Sequence, residues 1–293
     1  MIILFENGRT GNQLFQYIGL KKYFPKDKLV FIGFKELFKY FNKIDAYFFN
    51  KSKSMKWLLF TLPKTIFFLL ANLRIIGSVI EYDYPLKEPN VIVKKGFFSK
   101  IFIAKDIYFQ HYDIIKKIEY PPLLKKYVHQ KAFRWFQDKK INLNTSSLVF
   151  VHVRRGDYIK WPNKKFPAIL DFEWYDRAMS LIKTKLKNPI FIIMGDDQEY
   201  IQNFFKESQS LLISNNNLEV DLSIMSMCSS GILSASSFSW WGGYYAHSLN
   251  WPLEWDPNIN DHSIFIGPNR WGGYRMRQWY PPNFKSNWIT YLD

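Results

Sequence analysis

Two adjacent arginines, Arg154 and Arg155, carry the clearest chemical signal in this chain. They follow directly on "LVFVHV" (148–153), an apolar run of strand type, and Gly156 and Asp157 come next. A guanidinium keeps its charge at any working pH and offers a planar fork of donors, so an arginine just past a buried strand can grip phosphate oxygens. Alternation along an extended chain sends the two side chains to opposite sides. One arginine is therefore expected on a ligand and the other bracing the loop, with Asp157 as an available partner. A solvated turn is the competing reading. His152 could donate to a base or a phosphate, but a lone histidine beside a strand is more often a satisfied core residue.

Three further clusters could join that chemistry. In "NGRTGNQLFQY" (7–17), Gly8 and Gly11 bracket a turn between strand and helix. A backbone without Cβ atoms lets a ligand approach, and the amides at the helix start, around Gly11 and Asn12, favour an anion. No Gly-Lys-Ser/Thr follows and the dinucleotide fingerprint is absent, so a plain strand-turn-helix stays open. In "MGDDQEY" (194–200), Asp196 and Asp197 could bind a divalent cation, act as a base or cap the next helix. With no histidine beside them, capping fits better than a metal site. In "EVDLSIMSMCSSGILSASSFSWWGG" (219–243), Asp221 could read the donor edge of a purine. The serines of "SASSFSWW", Ser237 and Ser239 among them, could hold phosphate at a helix start. Ordinary capping by the serines and core packing by Trp240 and Trp241 stand against that.

The elements that must position these residues alternate. "MIILFE" reads as a strand, "GRTGNQ" as a turn and "LFQYIGLKKYF" as a helix; the stretch 31–80 is aromatic-rich and helical in period. "VIVKKGFFS" (91–99) reads as one strand, 123–140 as an amphipathic helix and 141–147 as a polar linker. From residue 148 onward, buried strands and helices follow one another, which indicates a parallel sheet with right-handed crossovers. Ligands of such sheets bind outside the carboxyl ends of the strands. Each polar cluster above follows a strand. The expected organisation is a domain over 1–145 and a second over 146–293.

The totals narrow the class. The chain has 293 residues, 47% of them hydrophobic and 22% charged, which describes a globular protein and not a disordered one. A single cysteine, Cys228, allows no internal disulfide and fits a reducing, cytoplasmic setting. "MIILFE" is too short for a secretory h-region, and Pro63, Lys64 and Arg74 break the apolar stretch 57–80 below spanning length. Charge is uneven: residues 1–145 hold 26 Lys and Arg against 11 Asp and Glu, while residues 146–293 hold 14 of each. No nucleic-acid-binding pattern is present. An anionic membrane surface is the partner expected for the basic half, where cations interleave with Trp, Phe and Leu around 51–76. A lysine bias with no partner is the alternative.

Taken in order, the clusters resemble the α-1,2-fucosyltransferases of glycosyltransferase family eleven. Gly11 to Tyr17 match the family's Gly-Asn-Gln-Leu/Met-Phe-Gln-Tyr start. His152 to Tyr158 match its His-x-Arg-Arg-Gly-Asp-Tyr segment, and Met225 to Gly242 its Met-Ser-x-Cys…Ser-Ser-Phe-Ser-Trp-Trp-Gly segment. An Asp-Asp pair after a strand is shared, and "GFFSKIFI" (96–103) looks like its Gly-aromatic-x-Ser stretch. Gly195 stands where the family usually has Ser.

The resemblance implies an α/β fold of glycosyltransferase-B type, two Rossmann-like domains with parallel sheets facing a cleft. It implies GDP-fucose as donor on the second domain, a galactose-terminated glycan as acceptor, inversion at the anomeric carbon, and neither cofactor nor obligatory metal. By the same resemblance Arg154 stabilises the departing diphosphate with Arg155 beside it, and Asp196 belongs to the donor site. His152 and Asp221 contact guanine, Ser237, Phe238 and Ser239 line the nucleotide pocket, and Gly11 and Asn12 close over the pyrophosphate. The base for the acceptor hydroxyl stays open between Asp157, Glu6 and the leaving phosphate itself.

Overall fold

The structure, a computed structural model, describes residues 1–50, 61–82, 90–115, 121–143, 146–248, 263–270 and 284–293. The chain divides into two compact units, Met1–Lys125 with a return at Pro282–Phe284, and Lys126–Pro281 with Lys285–Asp293. The division falls earlier than the expected 145/146. Its physical cause is the helix over 126–138, which packs into the second unit through its buried face.

In the first unit the elements are β1 (Ile2–Phe5), α1 (Thr10–Tyr23), β2 (Leu29–Ile32), α2 (Lys35–Tyr40), β3 (Tyr47–Phe49), α3 (Leu62–Asn72), β4 (Ile76–Tyr82), β5 (Asn90–Lys94), β6 (Phe98–Lys105) and α4 (Tyr112–Ile115). They form a six-stranded sheet in the order β3-β2-β1-β6-β4-β5. All its pairings are parallel except β4 with β5. "IILF" is buried throughout, as a central parallel strand must be when helices cover both faces. The stretch 91–99, expected as one strand, is two. Gly96 lies between β5 and β6, where a Cβ would come within 2.2 Å of the backbone carbon of Ile76. The apolar stretch 57–80 is, from residue 61 on, the helix α3 and most of β4; residues 57–60 lie outside the described residues.

The second unit opens with α5 (Lys126–Asp138) and continues with β7 (Leu148–Val153), a short 3₁₀ turn at Gly156–Ile159, and the hairpin β8 (Pro162–Asn163) and β9 (Phe166–Pro167). Then come α6 (Phe172–Lys183), β10 (Ile190–Gly195), α7 (Gln198–Phe204), β11 (Leu211–Ile213), α8 (Leu218–Ser226), β12 (Ser230–Ile232), α9 (Ser237–Ser248), β13 (Phe265–Pro268) and β14 (Ile289–Leu292). The wholly parallel sheet runs β11-β10-β7-β12-β13-β14. Setting the β8–β9 hairpin aside and renumbering along the chain, this is the strand order 3-2-1-4-5-6 of the doubly wound dinucleotide-binding fold. Its core gathers Val149, Val151, Trp174, Tyr175, Phe191 and Ile193. Asp171 starts α6 by accepting a hydrogen bond from the Trp174 amide at 3.0 Å, which orients the helix that buries those two aromatics. The fold is thus α/β with two Rossmann-like sheets, the class expected.

Candidate functional site

In an open parallel sheet the chain leaves the first strand in one direction and later returns on its other side, so a crevice opens where the order reverses. In the second unit that point lies between β7 and β12. His152, near the end of β7, reaches across it: its Nδ1 lies 2.8 Å from the hydroxyl of Ser234, just past β12. The His152 ring also lies 5.5 Å from that of Phe238, in the first turn of α9. The side chain is buried, and burial first, with the Arg154 charge adding to it, pulls the imidazole down to about 3. His152 is therefore a neutral hydrogen-bonding group and not a cation.

Both arginines are tied to carboxylates of the loops that follow β7 and β10. Arg155 is the brace. Its Nε donates to Asp197 at 3.0 Å, its guanidinium lies 3.8 Å over the Tyr200 ring, and its amide donates to Asp196 at 2.9 Å. Asp197 also caps α7 by accepting from the Tyr200 amide at 3.0 Å, so the capping role falls to the second aspartate of the pair. Arg155 thus pairs with Asp197, while the expected partner Asp157 pairs with Arg154. Arg154 takes Asp196 at 2.5 Å through Nη1 and Asp157 through Nη2, with its guanidinium 4.9 Å from the Tyr158 ring centre. Its Nε is buried and has no hydrogen-bond partner among the described residues. A buried donor without a partner costs free energy, on the order of 1–3 kcal/mol, and an arriving oxygen would recover it. Asp157 itself is well exposed, with one carboxylate oxygen committed to Arg154.

Glycine shapes this loop. A Cβ on Gly156 would lie 2.5 Å from the Asp196 carboxylate, and a Cβ on Gly195 would lie 2.0 Å from the Val153 carbonyl oxygen. Gly195 thus occupies a position where β10 runs too close to β7 for the serine usual in the resembling family.

Asp221 sits in the first turn of α8, beyond the carboxyl end of β11. It is buried and accepts from the Ser214 hydroxyl at 2.5 Å, while Asn216 donates to the same hydroxyl at 2.8 Å. Burial, opposed by the Ser214 bond and reinforced by the Glu219 charge, pushes the Asp221 carboxyl up to about 8. Glu219, buried in the same turn, is paired with Lys131 of α5 at 3.6 Å. At the start of α9, Ser236 accepts from the Phe238 amide at 3.3 Å. Ser239 is fully buried and donates to the carbonyls of Ser234 and Ser236, so its hydroxyl stabilises the turn from within. Ser237 and Phe238 remain half-buried. Trp240 and Trp241 are core residues, Trp240 donating to Ser286 at 2.9 Å. Cys228 is buried, as a small apolar side chain would be.

In the first unit the order reverses between β1 and β6, and a second polar cluster marks that edge. Asn7 donates to the Tyr108 hydroxyl at 3.0 Å, and Gln110 donates to Asn12 at 2.7 Å. Gln16 bonds the carbonyls of Asn7 and Ile107, tying the two strand ends together. Gln13 reaches Glu6 at 3.2 Å. Gly11 is buried at the start of α1, beside Asn12. Sequence reasoning found Gly11 and Asn12 and missed Asn7, Tyr108, Gln110, Ser214 and Ser234. For Asn7, Ser214 and Ser234 the signal was a polar residue just past a strand; Tyr108 and Gln110 follow β6, whose extent the sequence did not show.

The structure therefore gathers His152, Arg154, Arg155 and Asp196 with Ser237–Ser239 at one switch point, and it sets Asp221 on the same strand-end edge, beyond β11. Gly11 and Asn12 belong to the other unit's edge. Comparison with known proteins agrees with this architecture. In Escherichia coli, an O-antigen biosynthesis glycosyltransferase, WbnK, is 30% identical over 135 residues (44% of this chain, 40% of that protein). An α-1,2-colitosyltransferase from the same organism is 31% identical over 157 residues (48% and 50%). Galactoside α-(1,2)-fucosyltransferase 2 of Rattus norvegicus is 23% identical over 138 residues (43% and 39%). Each match spans half or less of the relative's length. Among solved structures, a family 9 glycosyl transferase from Veillonella parvula shares the fold, with a TM-score of 0.55 at 10% identity over 99% of this chain and 85% of that one. The family model described as glycosyl transferase family 11 matches residues 1–249, and the chain belongs to that family.

Proposed function

We propose that the protein is an inverting glycosyltransferase that moves L-fucose from GDP-fucose to the 2-hydroxyl of a terminal galactose on a surface glycan or oligosaccharide. Family membership and the α-1,2-linked transfers named for two relatives support this reading. The single observation that carries it is Arg154: a guanidinium fixed by two carboxylates at the switch point, with a buried Nε that has no partner among the described residues.

In the proposed step the acceptor oxygen forms a bond to the anomeric carbon while the bond from that carbon to the β-phosphate oxygen breaks. The electron pair leaves with GDP, and the new negative charge appears on the β-phosphate. Arg154 meets that charge, and because Asp157 and Asp196 already hold it, no reorganisation is needed when the charge develops. Donors aimed at developing charge are worth about a hundredfold or more each in rate. Arginine supplies the positive charge that a metal ion gives other nucleotide-sugar enzymes, so the proposal requires no metal. His152, held neutral, and Asp221 face the base, with Phe238 beside His152 offering a flat apolar surface. Ser237 and the opening amides of α9 serve the phosphates. The proton of the acceptor hydroxyl passes to Asp157 or to the departing phosphate. Asp157 commits one oxygen to Arg154, which leaves its other oxygen for the proton.

The colitosyltransferase relative supports a second reading, a different deoxysugar on the same kind of donor. A panel of GDP-fucose, other GDP-sugars and UDP-sugars, each offered with lactose, N-acetyllactosamine and galactosyl-N-acetylgalactosamine, separates the two. Turnover with GDP-fucose alone supports the first reading, and turnover only with another GDP-sugar supports the second. Binding of GDP without turnover of any donor would make the chain a non-catalytic member of its family.

A further inference from the structure

One surface of the first unit lies outside the proposed site. Ile66 and Leu69 on α3 and Leu73 at its C-cap fall at i, i+3 and i+7, so they lie toward one side of the helix. All three are exposed, Leu69 at 55% and Leu73 at 61%. The chain then turns through Arg74 into β4. The Phe97 amide donates to the Arg74 carbonyl at 2.7 Å and the Phe98 amide to the Ile75 carbonyl at 2.8 Å, which brings the start of β6 against the end of α3. Phe97 is 85% exposed and Phe98 is 54% exposed, their rings in edge contact at 5.3 Å. The result is an exposed apolar ridge in which Phe97 and Phe98 adjoin the end of α3. It lies at the amino ends of β4 and β6, whereas Asn7, Tyr108 and Gln110 cluster at the carboxyl ends of β1 and β6.

Ordinary globular surfaces do not keep five such side chains together without use. The charge around the ridge says what the use is. Segments 61–80 and 90–105 contain six Lys and Arg and no Asp or Glu. Arg74, Lys94, Lys95 and Lys100 are all exposed beside the ridge. A second copy of the chain would bring like charges together, and the lysines that close the edge strand β5 oppose pairing with another strand. An apolar ridge flanked by cations matches a lipid surface instead: the rings and leucines enter the boundary between headgroups and chains, and the cations meet anionic headgroups.

We infer that the α3–Phe97/Phe98 ridge docks the protein on an anionic glycerophospholipid surface. The expected membrane partner of the basic half is thereby assigned to defined residues. The inference is independent of which sugar is transferred.

Cosedimentation of the full chain with vesicles tests it. Vesicles of phosphatidylcholine mixed with phosphatidylglycerol should retain the protein, and vesicles of phosphatidylcholine alone should not. Binding should weaken steeply as salt rises from about 0.05 to about 0.5 M, because the screening length shrinks. Lys94→Glu with Lys95→Glu should weaken partitioning by about thirtyfold or more, since each basic residue near the surface contributes about 1 kcal/mol. Phe97→Ser with Phe98→Ser should abolish whatever binding survives at high salt. These positions are exposed, and unchanged thermal melting verifies that the variants fold; Lys94→Gln with Lys95→Gln is the milder pair should the first melt early. Equal retention by both vesicle types, no retention, or retention unaffected by either pair of substitutions would overturn the inference. Concentration-dependent dimers lost on Phe97→Ser would overturn it too, giving the face to a second copy.

Discussion

The guanidinium of Arg154, at the end of β7, lies 2.5 Å from the carboxylate of Asp196, at the end of β10. The same carboxylate accepts from the Arg155 amide at 2.9 Å, so one side chain fixes both the loop and the cation it carries. Asp196 is thus a positioning residue. Asp196→Asn keeps the shape and removes the charge. We expect kcat to fall about tenfold or more with KM for the donor changed less, since a misplaced donor costs most in the transition state. Combined with Asp157→Asn, the loss should depart from the sum of the single losses, because both carboxylates hold one guanidinium. Steady-state kinetics of the two single variants and the double variant checks this.

The two loop glycines should respond differently to alanine. At Gly156 a Cβ would meet the end of the Asp196 side chain, which can swing away, so Gly156→Ala should lower activity and leave the melting temperature nearly unchanged. At Gly195 it would meet the Val153 backbone, which cannot yield without disturbing the β7–β10 pairing. Gly195→Ala should therefore destabilise by about 1–3 kcal/mol or more. Chemical denaturation beside an activity assay distinguishes the two outcomes.

Three buried groups of the second unit set a stability optimum. Burial lowers His129 to about 4 and His152 to about 3 from 6.5, and raises Asp221 to about 8 from 3.8. Between about pH 4 and 6.5 the unfolded chain binds two imidazole protons that the folded unit refuses, while the folded unit holds one carboxyl proton that the unfolded chain has released. The unfolded state therefore binds one more proton, and stability rises with pH. Between 6.5 and about 8 only the Asp221 proton differs and the folded state holds it, so stability falls as pH rises. Each net proton is worth about 1.4 kcal/mol per pH unit. Denaturation midpoints should peak near pH 6.5, the unfolded imidazole value. Asp221→Asn should remove the decline above it and steepen the rise below it.

Asp221 also predicts how nucleotide binding depends on pH. A carboxylate can accept two N–H bonds from the guanine edge only when ionised, and with a value of about 8 most of it is protonated at pH 7. GDP affinity should tighten roughly fivefold from pH 7 to pH 8, as the ionised fraction grows. In Asp221→Asn that component of the pH dependence should vanish and affinity should drop. Calorimetric titration at both pH values measures it; an unchanged slope in the variant would remove Asp221 from the base site.

Much of the second unit was legible in sequence because its strands are short continuous apolar runs ended by polar residues. "LVFVHV" and "PIFIIMG" could be little else, and Arg154, Arg155 and Asp196 stood out because charge directly after such runs is unusual. The first unit was less legible. Its 31–80 stretch is rich in Phe and Leu, and three-residue strands such as Tyr47–Phe49 have no period to detect. The tight fit at Gly96 depends on how close Ile76 approaches, a tertiary fact. The assignment of α5 to the second unit was hidden for the same reason: its amphipathic face was clear, but its partner, Ser223 against His129 at 2.7 Å, lies 94 residues away. What Ser239 does also needed the fold, since a hydroxyl at a helix start can face a ligand or, as here, its own turn.

The most direct test of the role given to Arg154 compares Arg154→Ala with the unaltered protein in two assays, GDP-fucose turnover and the affinities for GDP and GMP. A guanidinium that meets the β-phosphate predicts a loss in turnover of about a hundredfold or more. It also predicts weaker GDP binding and unchanged GMP binding, since GMP lacks the group Arg154 holds. Near-normal turnover, or an equal loss of affinity for both nucleotides, would contradict it.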